Sequence, residues 1–234
     1  GAAANAGMVI VVPGTGDGAT SAAAFCLWPG VVMNGGTMPG EREADAYFGS
    51  SLAAGNVNRN FALGLVHDDL AIGEPLADVD GEAGAGEIYL LGGSVTGLTA
   101  ALAARLDRGD LPGEDLGVGA RFGRKLAMAP SAHGASADLL VQRVDASGNL
   151  AGTVSVIPGS AGGLILSEAI ALSSADPGLL IAPSETDDRF GEGMALGDFD
   201  ADGFSEYAIS APGRTAAGVD DAGALLVLRG ALFS

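Results

Sequence analysis

The chain has 234 residues but one cysteine, one lysine and one tryptophan. The lone Cys26 excludes an internal disulfide framework. It leaves the compartment open, because a larger domain can be secreted without disulfides. Basic residues are scarce, 11 against 29 acidic, and the formal net charge is -18. That balance argues against nucleic acid or anionic lipid as a partner, since both would be repelled. No apolar run approaches the roughly 20 residues a membrane span needs. The opening GAAANAG has no Met, basic region or apolar stretch. No signal peptide is expected there, and such a start suggests a processed product or a piece of something longer. No G-x-S-x-G elbow occurs, and no serine has a recognisable triad around it.

What the chain does have is glycine and alternation. Hydrophobic residues make up 48% of it, spread in short alternating stretches, so a soluble globular chain with a real core is expected. Internal repetition decides the fold. AYFGSSLAAGN (46–56), ARFGRKLAMAP (120–130) and DRFGEGMALGD (188–198) share one frame around Phe-Gly. Each is followed by an acidic residue opening an apolar strand, at Asp69, Asp138 and Glu206. A Gly-led strand comes next, at Gly86, Gly152 and Gly223, with a further copy at Gly7. These segments are short, rich in β-branched and apolar residues, and bounded by Gly and Pro, which is a strand signature. Weaker fourth strands fall at Leu98–Leu106 and Gly162–Leu172. The first of these could equally be a helix on pattern alone. Four antiparallel strands per repeat, set radially, make a β-propeller blade, which needs a neighbour on each face.

The arrangement resembles the FG-GAP repeat family, the propeller units of integrin α chains and of many bacterial secreted proteins. Carrying the resemblance are Phe48-Gly49 with Gly73-Glu74-Pro75, Phe190-Gly191 with Ser210-Ala211-Pro212, and Phe122-Gly123, whose repeat lacks a GAP-like end. The resemblance implies an all-β fold and about half of a propeller of about seven blades. On this reading residues 1–45 end one blade, 46–119 are one repeat, 120–187 a degenerate one and 188–234 a calcium-binding one. The remaining blades would lie in the parent polypeptide or in a second copy of the chain.

The last repeat carries Asp198-Phe-Asp200-Ala-Asp202-Gly203. Calcium takes six to eight oxygens at about 2.3–2.6 Å, several from carboxylates. Asp198, Asp200 and Asp202, the carbonyl of Phe204 and the carboxylate of Glu206 supply such a series, with Gly203 turning the loop. Position 12 is Ile209 and the flanks read as strands, so the loop is not an EF-hand. The resemblance places Ca2+ in this loop, stiffening a hairpin; the bland alternative is a solvated acidic turn. In the first repeat Asn56, Asn58 and Asn60 replace the aspartates and Arg59 adds repulsion, which weakens any site. The middle repeat has no carboxylate series before Asp138 and is expected to be empty.

Other signals carry less. Gly14-x-Gly16 after an apolar strand imitates a dinucleotide fingerprint, but Asp17 sits where a pyrophosphate would lie. His67 and His133 have no ligand-spaced Cys or His partner and read as surface residues. Arg108-Gly109-Asp110 matches a tripeptide that integrin ligands display, and a match this short reads as chance. Cys26 reads as a small buried hydrophobe. The functional expectation is a calcium-stiffened, non-catalytic module that binds protein or glycan, extracellular or at the cell surface. Loops 33–47 and 105–119 are its expected contact surfaces. The alternative is the propeller portion of a larger secreted enzyme, hydrolase-type, with chemistry elsewhere or in a central channel.

Overall fold

A computed structural model describes residues 3–16, 18–59, 61–62, 65–113, 117–130, 136–144, 150–174, 176, 186–200 and 205–229. The fold is all-β, built from several antiparallel sheets. Strands β1 (Val9–Val11) and β2 (Phe25–Leu27) pair first. Strands β3 (Ser51–Gly55), β4 (Asp69–Glu74), β5 (Glu87–Gly92) and β6 (Thr99–Asp107) form a four-stranded meander. A second meander holds β7 (Lys125–Pro130), β8 (Ala137–Arg143), β9 (Thr153–Ile157) and β10 (Ile170–Ser173). The last sheet holds β11 (Met194–Gly197), β12 (Glu206–Ala211) and β13 (Ala224–Leu228).

The sheets stack face to face, and alternate residues of one strand feed two different cores. Ile72 on β4 packs with Val9, Leu27, Phe48, Tyr89 and Leu91. Its neighbour Ala71 points the other way, into a core with Ile88, Phe122, Leu139 and Val141. A third core joins Leu140, Val154, Phe190, Tyr207 and Ile209. Strands between two cores are buried on both faces, as in β8, where only Arg143 is partly exposed. On β13 burial alternates instead, leaving Leu225 and Val227 exposed. Each fully buried aliphatic or aromatic side chain contributes about 1.5–3 kcal/mol.

A Phe-Gly turn makes the joint between successive sheets, and it recurs three times. Phe48, Phe122 and Phe190 donate their backbone N–H to Ala6, Ala85 and Ala151, at 3.0, 2.8 and 2.8 Å. These alanines precede the glycines that lead strands of the previous sheet. A Cβ on Gly7, Gly86 or Gly152 would lie 2.0–2.5 Å from the backbone of the incoming Phe. Only glycine permits that approach, and each of the three has φ near +80°. The residues before the phenylalanines, Tyr47, Arg121 and Arg189, are all left-handed, with φ of 60°, 52° and 53°. The first strands of the three larger sheets, β3, β7 and β11, lie side by side in that order.

Three expectations are refined by this architecture. The helix-or-strand segment Leu98–Leu106 is strand β6, because β5 offers it a full antiparallel edge. The second proposed fourth strand is shorter than its apolar run. Residues Gly163–Leu164 fold back on Gly159–Ser160, a 3-10 turn follows at Leu166–Glu168, and only Ile170–Ser173 joins the sheet. The Gly14-x-Gly16 segment is a tight hairpin, Gly14–Thr15 against Gly18–Ala19, with one 3-10 turn after it. It therefore lacks the helix whose N-terminus would hold a pyrophosphate.

Candidate metal centre

Strand β11 ends at Gly197, which pairs with Glu206 at the start of β12. The loop between them brings the carboxylates of Asp198, Asp200 and Glu206 within 4.8 Å of one another. Two oxygens bound to one calcium at 2.3–2.6 Å lie up to about 5 Å apart, so this spacing suits a shared ion. Asp198 and Asp200 are exposed and Glu206 is 4% exposed. Glu206 Oε2 accepts the Phe199 N–H at 2.7 Å, while Oε1 is buried without a hydrogen-bond partner. A buried carboxylate oxygen with no donor is costly, and a bound cation would satisfy it. The exposed Arg229 guanidinium lies 3.7 Å from Asp200 Oδ2, a surface pair of little worth that an ion would displace. Asp202, Gly203 and the Phe204 carbonyl lie outside the described residues.

The equivalent acids in the other sheets take a different role. Asp69, at the start of β4, accepts the Val57 N–H (3.0 Å) on Oδ2. Its Oδ1 accepts Gly93 N–H (2.9 Å) and the Asn58 amide (3.4 Å). Burial pushes its pKa up, opposed by those backbone donors. Asn58 therefore puts an N–H donor on the acid where a calcium loop would put a cation. Asn60 lies outside the described residues. Asp138, at the second residue of β8, accepts Gly159 N–H at 3.0 Å and the buried Tyr207 hydroxyl at 2.6 Å. Asp69 and Glu206 thus both accept the N–H two residues past the preceding strand, Asp69 and Asp138 both accept a glycine N–H past the next strand, and the acids differ in their remaining partners.

The remaining sequence candidates are scattered. His67 is half-buried, and His133 lies outside the described residues. Arg108-Gly109-Asp110 forms a 3-10 turn closed on itself, with Asp107 N–H donating to Asp110 (3.0 Å) and Gly109 N–H to Asp107 (2.7 Å). Trp28 is half-buried, with the Arg42 guanidinium 5.7 Å from its ring centre. Cys26 is half-buried too, opposite the exposed Ile10, rather than in a core. No helix among the described residues is long and apolar enough to cross a membrane.

Two groupings escaped the sequence reading. Glu74 and Glu87 are paired across β4 and β5, and both are buried. Glu87 takes the Tyr89 hydroxyl (2.5 Å) and the Arg105 guanidinium (3.3 Å), while Glu74 Oε1 has no hydrogen-bond partner. Burial first, then the Glu87 charge, push Glu74 up to about 7. The other grouping is cationic. Arg121, Arg124 and Lys125 line one cavity of about 270 Å3 with Tyr47, Ser50, Pro75 and Leu76. Three of eleven basic residues within five positions was a signal already in the sequence.

No known protein-family model matches the chain, and no curated protein sequence matches it. The FG-GAP resemblance therefore rests on the repeat itself.

Proposed function

We propose that the chain is a section of an FG-GAP-like β-propeller that binds Ca2+ at Asp198, Asp200 and Glu206. In this reading Asp202 and the Phe204 carbonyl complete the ligand set. The observation that carries it is the buried, donor-less Glu206 Oε1 beside two converging carboxylates. The thrice-repeated Phe-Gly joint and the side-by-side first strands support the radial arrangement. Gly223 leads β13 as Gly86 leads β5, yet among the described residues the nearest atoms to its added Cβ belong to Pro212 and Ala211, at 3.6–3.9 Å, and not to an incoming Phe. Further units, from the parent polypeptide or a second copy, would seat a Phe-Gly turn there. The module works outside the cytoplasm, where millimolar calcium fills even a weak site. It presents loops to a protein or glycan ligand and has no catalytic role of its own.

The test is thermal unfolding in calcium and in chelator. Ligand at a hundredfold excess over Kd adds roughly 2.7 kcal/mol, a rise of about 5–10 °C in Tm for a chain of this size. Asp200→Ala should remove that rise. A melting curve indifferent to calcium would sink the metal assignment.

A further inference from the structure

We propose that the cavity at the seam between the first and second Phe-Gly turns binds the carboxylate of an acidic sugar, a uronic acid. This gives a ligand class to the binding module above and rests on that reading. The cavity is lined by Arg121, Arg124 and Lys125 on one side and Tyr47 and Ser50 on the other, with Pro75 and Leu76 completing it. Its volume of about 270 Å3 suits one sugar residue, just under the roughly 300–1,000 Å3 of drug-sized sites.

The charge is local and uncommon for this chain. Among the described residues one acid, Glu192, pairs with the trio, at 2.7 Å from Arg124 and 3.7 Å from Lys125. Arg121 is exposed. Three cations against one carboxylate leave the cavity positive on a protein of net charge -18. Screening over about 8 Å at physiological salt lets a single carboxylate feel the cavity rather than the whole surface. A polyanion would meet the surrounding acids instead.

The fold does not need these cations. At the matching places the first repeat has Tyr47, Ser50 and Ser51, and the third has Arg189, Glu192 and Gly193. The backbone beneath them is held, with Arg121 N–H donating to Gly84 (3.1 Å) and Arg124 N–H to Arg121 and Gln142 (both 3.1 Å). Held backbone lowers the ordering cost of binding. An arginine fork matches a carboxylate bidentately. Tyr47 is 47% exposed at left-handed φ, and offers a flat apolar face with a polar tip, suited to a sugar ring.

Titration calorimetry with glucuronate, glucose and acetate tests this, with calcium and with chelator. Glucuronate should bind saturably, glucose not at the same concentration, and acetate at least about tenfold more weakly. Arg121→Gln should raise the glucuronate Kd by about tenfold or more, the loss of at least one charge-assisted hydrogen bond, with an unchanged melting curve. Lys125→Gln is the second variant, should the first alter folding. No saturable binding, equal binding by glucose, or wild-type affinity in both variants would overturn the site. Acetate bound as tightly as glucuronate would overturn the sugar. Glucuronate binding that survives in a protein whose melting ignores calcium would remove the metal and leave this site. A calcium response without glucuronate binding would do the reverse.

Discussion

At Glu74 the fold holds a carboxyl group where its charge is disfavoured. Strand register puts it opposite Glu87, with Tyr89, Arg105 and Glu43 around the pair. Its folded pKa, about 7, exceeds the ordinary 4.5. The folded chain therefore holds an extra proton between those values, and the stabilisation is complete below pH 4.5. It is lost as pH rises towards 7. Urea unfolding at pH 5 and 7.5 should show the native state losing about 1–3 kcal/mol from this group on going to the higher pH. Glu74→Gln, which keeps the shape without the charge, should flatten that difference. An identical pH dependence in variant and parent would refute the assignment. The corresponding pair in the last sheet is Ala211 and Ala224, so the acids answer no general demand of the repeat.

The Phe-Gly joint sets the prediction for the elements. Gly86→Ala would drive a Cβ to 2.5 Å from Phe122 N and O, at a φ of +82°. Backbone cannot yield as a side-chain tip can, so a loss above about 3 kcal/mol is expected in denaturant unfolding. Gly162→Ala, whose Cβ would meet only Ser160 Oγ at 3.7 Å, should stay within about 0.5 kcal/mol. Equal costs at the two positions would show that the joint bears no weight. Much of this level was legible in the residues. Alternation marked the strands, and the recurring frame marked where each sheet begins. The convergence of Asp198, Asp200 and Glu206 was legible as part of an acidic series, whose Asp202 and Phe204 lie outside the described residues. Helix propensity left Leu98–Leu106 open between strand and helix, and the edge of β5 decides it for strand. The acid pair was hidden because Glu74 and Glu87 meet only through the β4–β5 register, and the cationic cavity because Tyr47 and Arg121 meet only across a seam.

Among the described residues of the whole molecule, two apolar faces stay open. Met8, Ile10 and Val12 are exposed at one end, Leu225 and Val227 at the other. Self-repulsion from the net charge keeps such faces apart at low ionic strength, and salt screens it. Sedimentation should show association growing between about 0.05 and 0.5 M salt, and Leu225→Glu should suppress it. A mass independent of salt would argue that these faces are not sticky.

The Phe-Gly joint has a further consequence for how such chains change over time. Its hydrogen bonds read main chain and glycines, while the phenylalanine of each joint packs into the core between the sheets. A unit bearing those residues and an apolar face that fits its neighbour could follow another, so segments can be duplicated with the backbone boundary kept. Side chains away from the joint are then free to diverge, which is how one turn could acquire arginines, one loop a cluster of carboxylates, and one strand pair two buried acids.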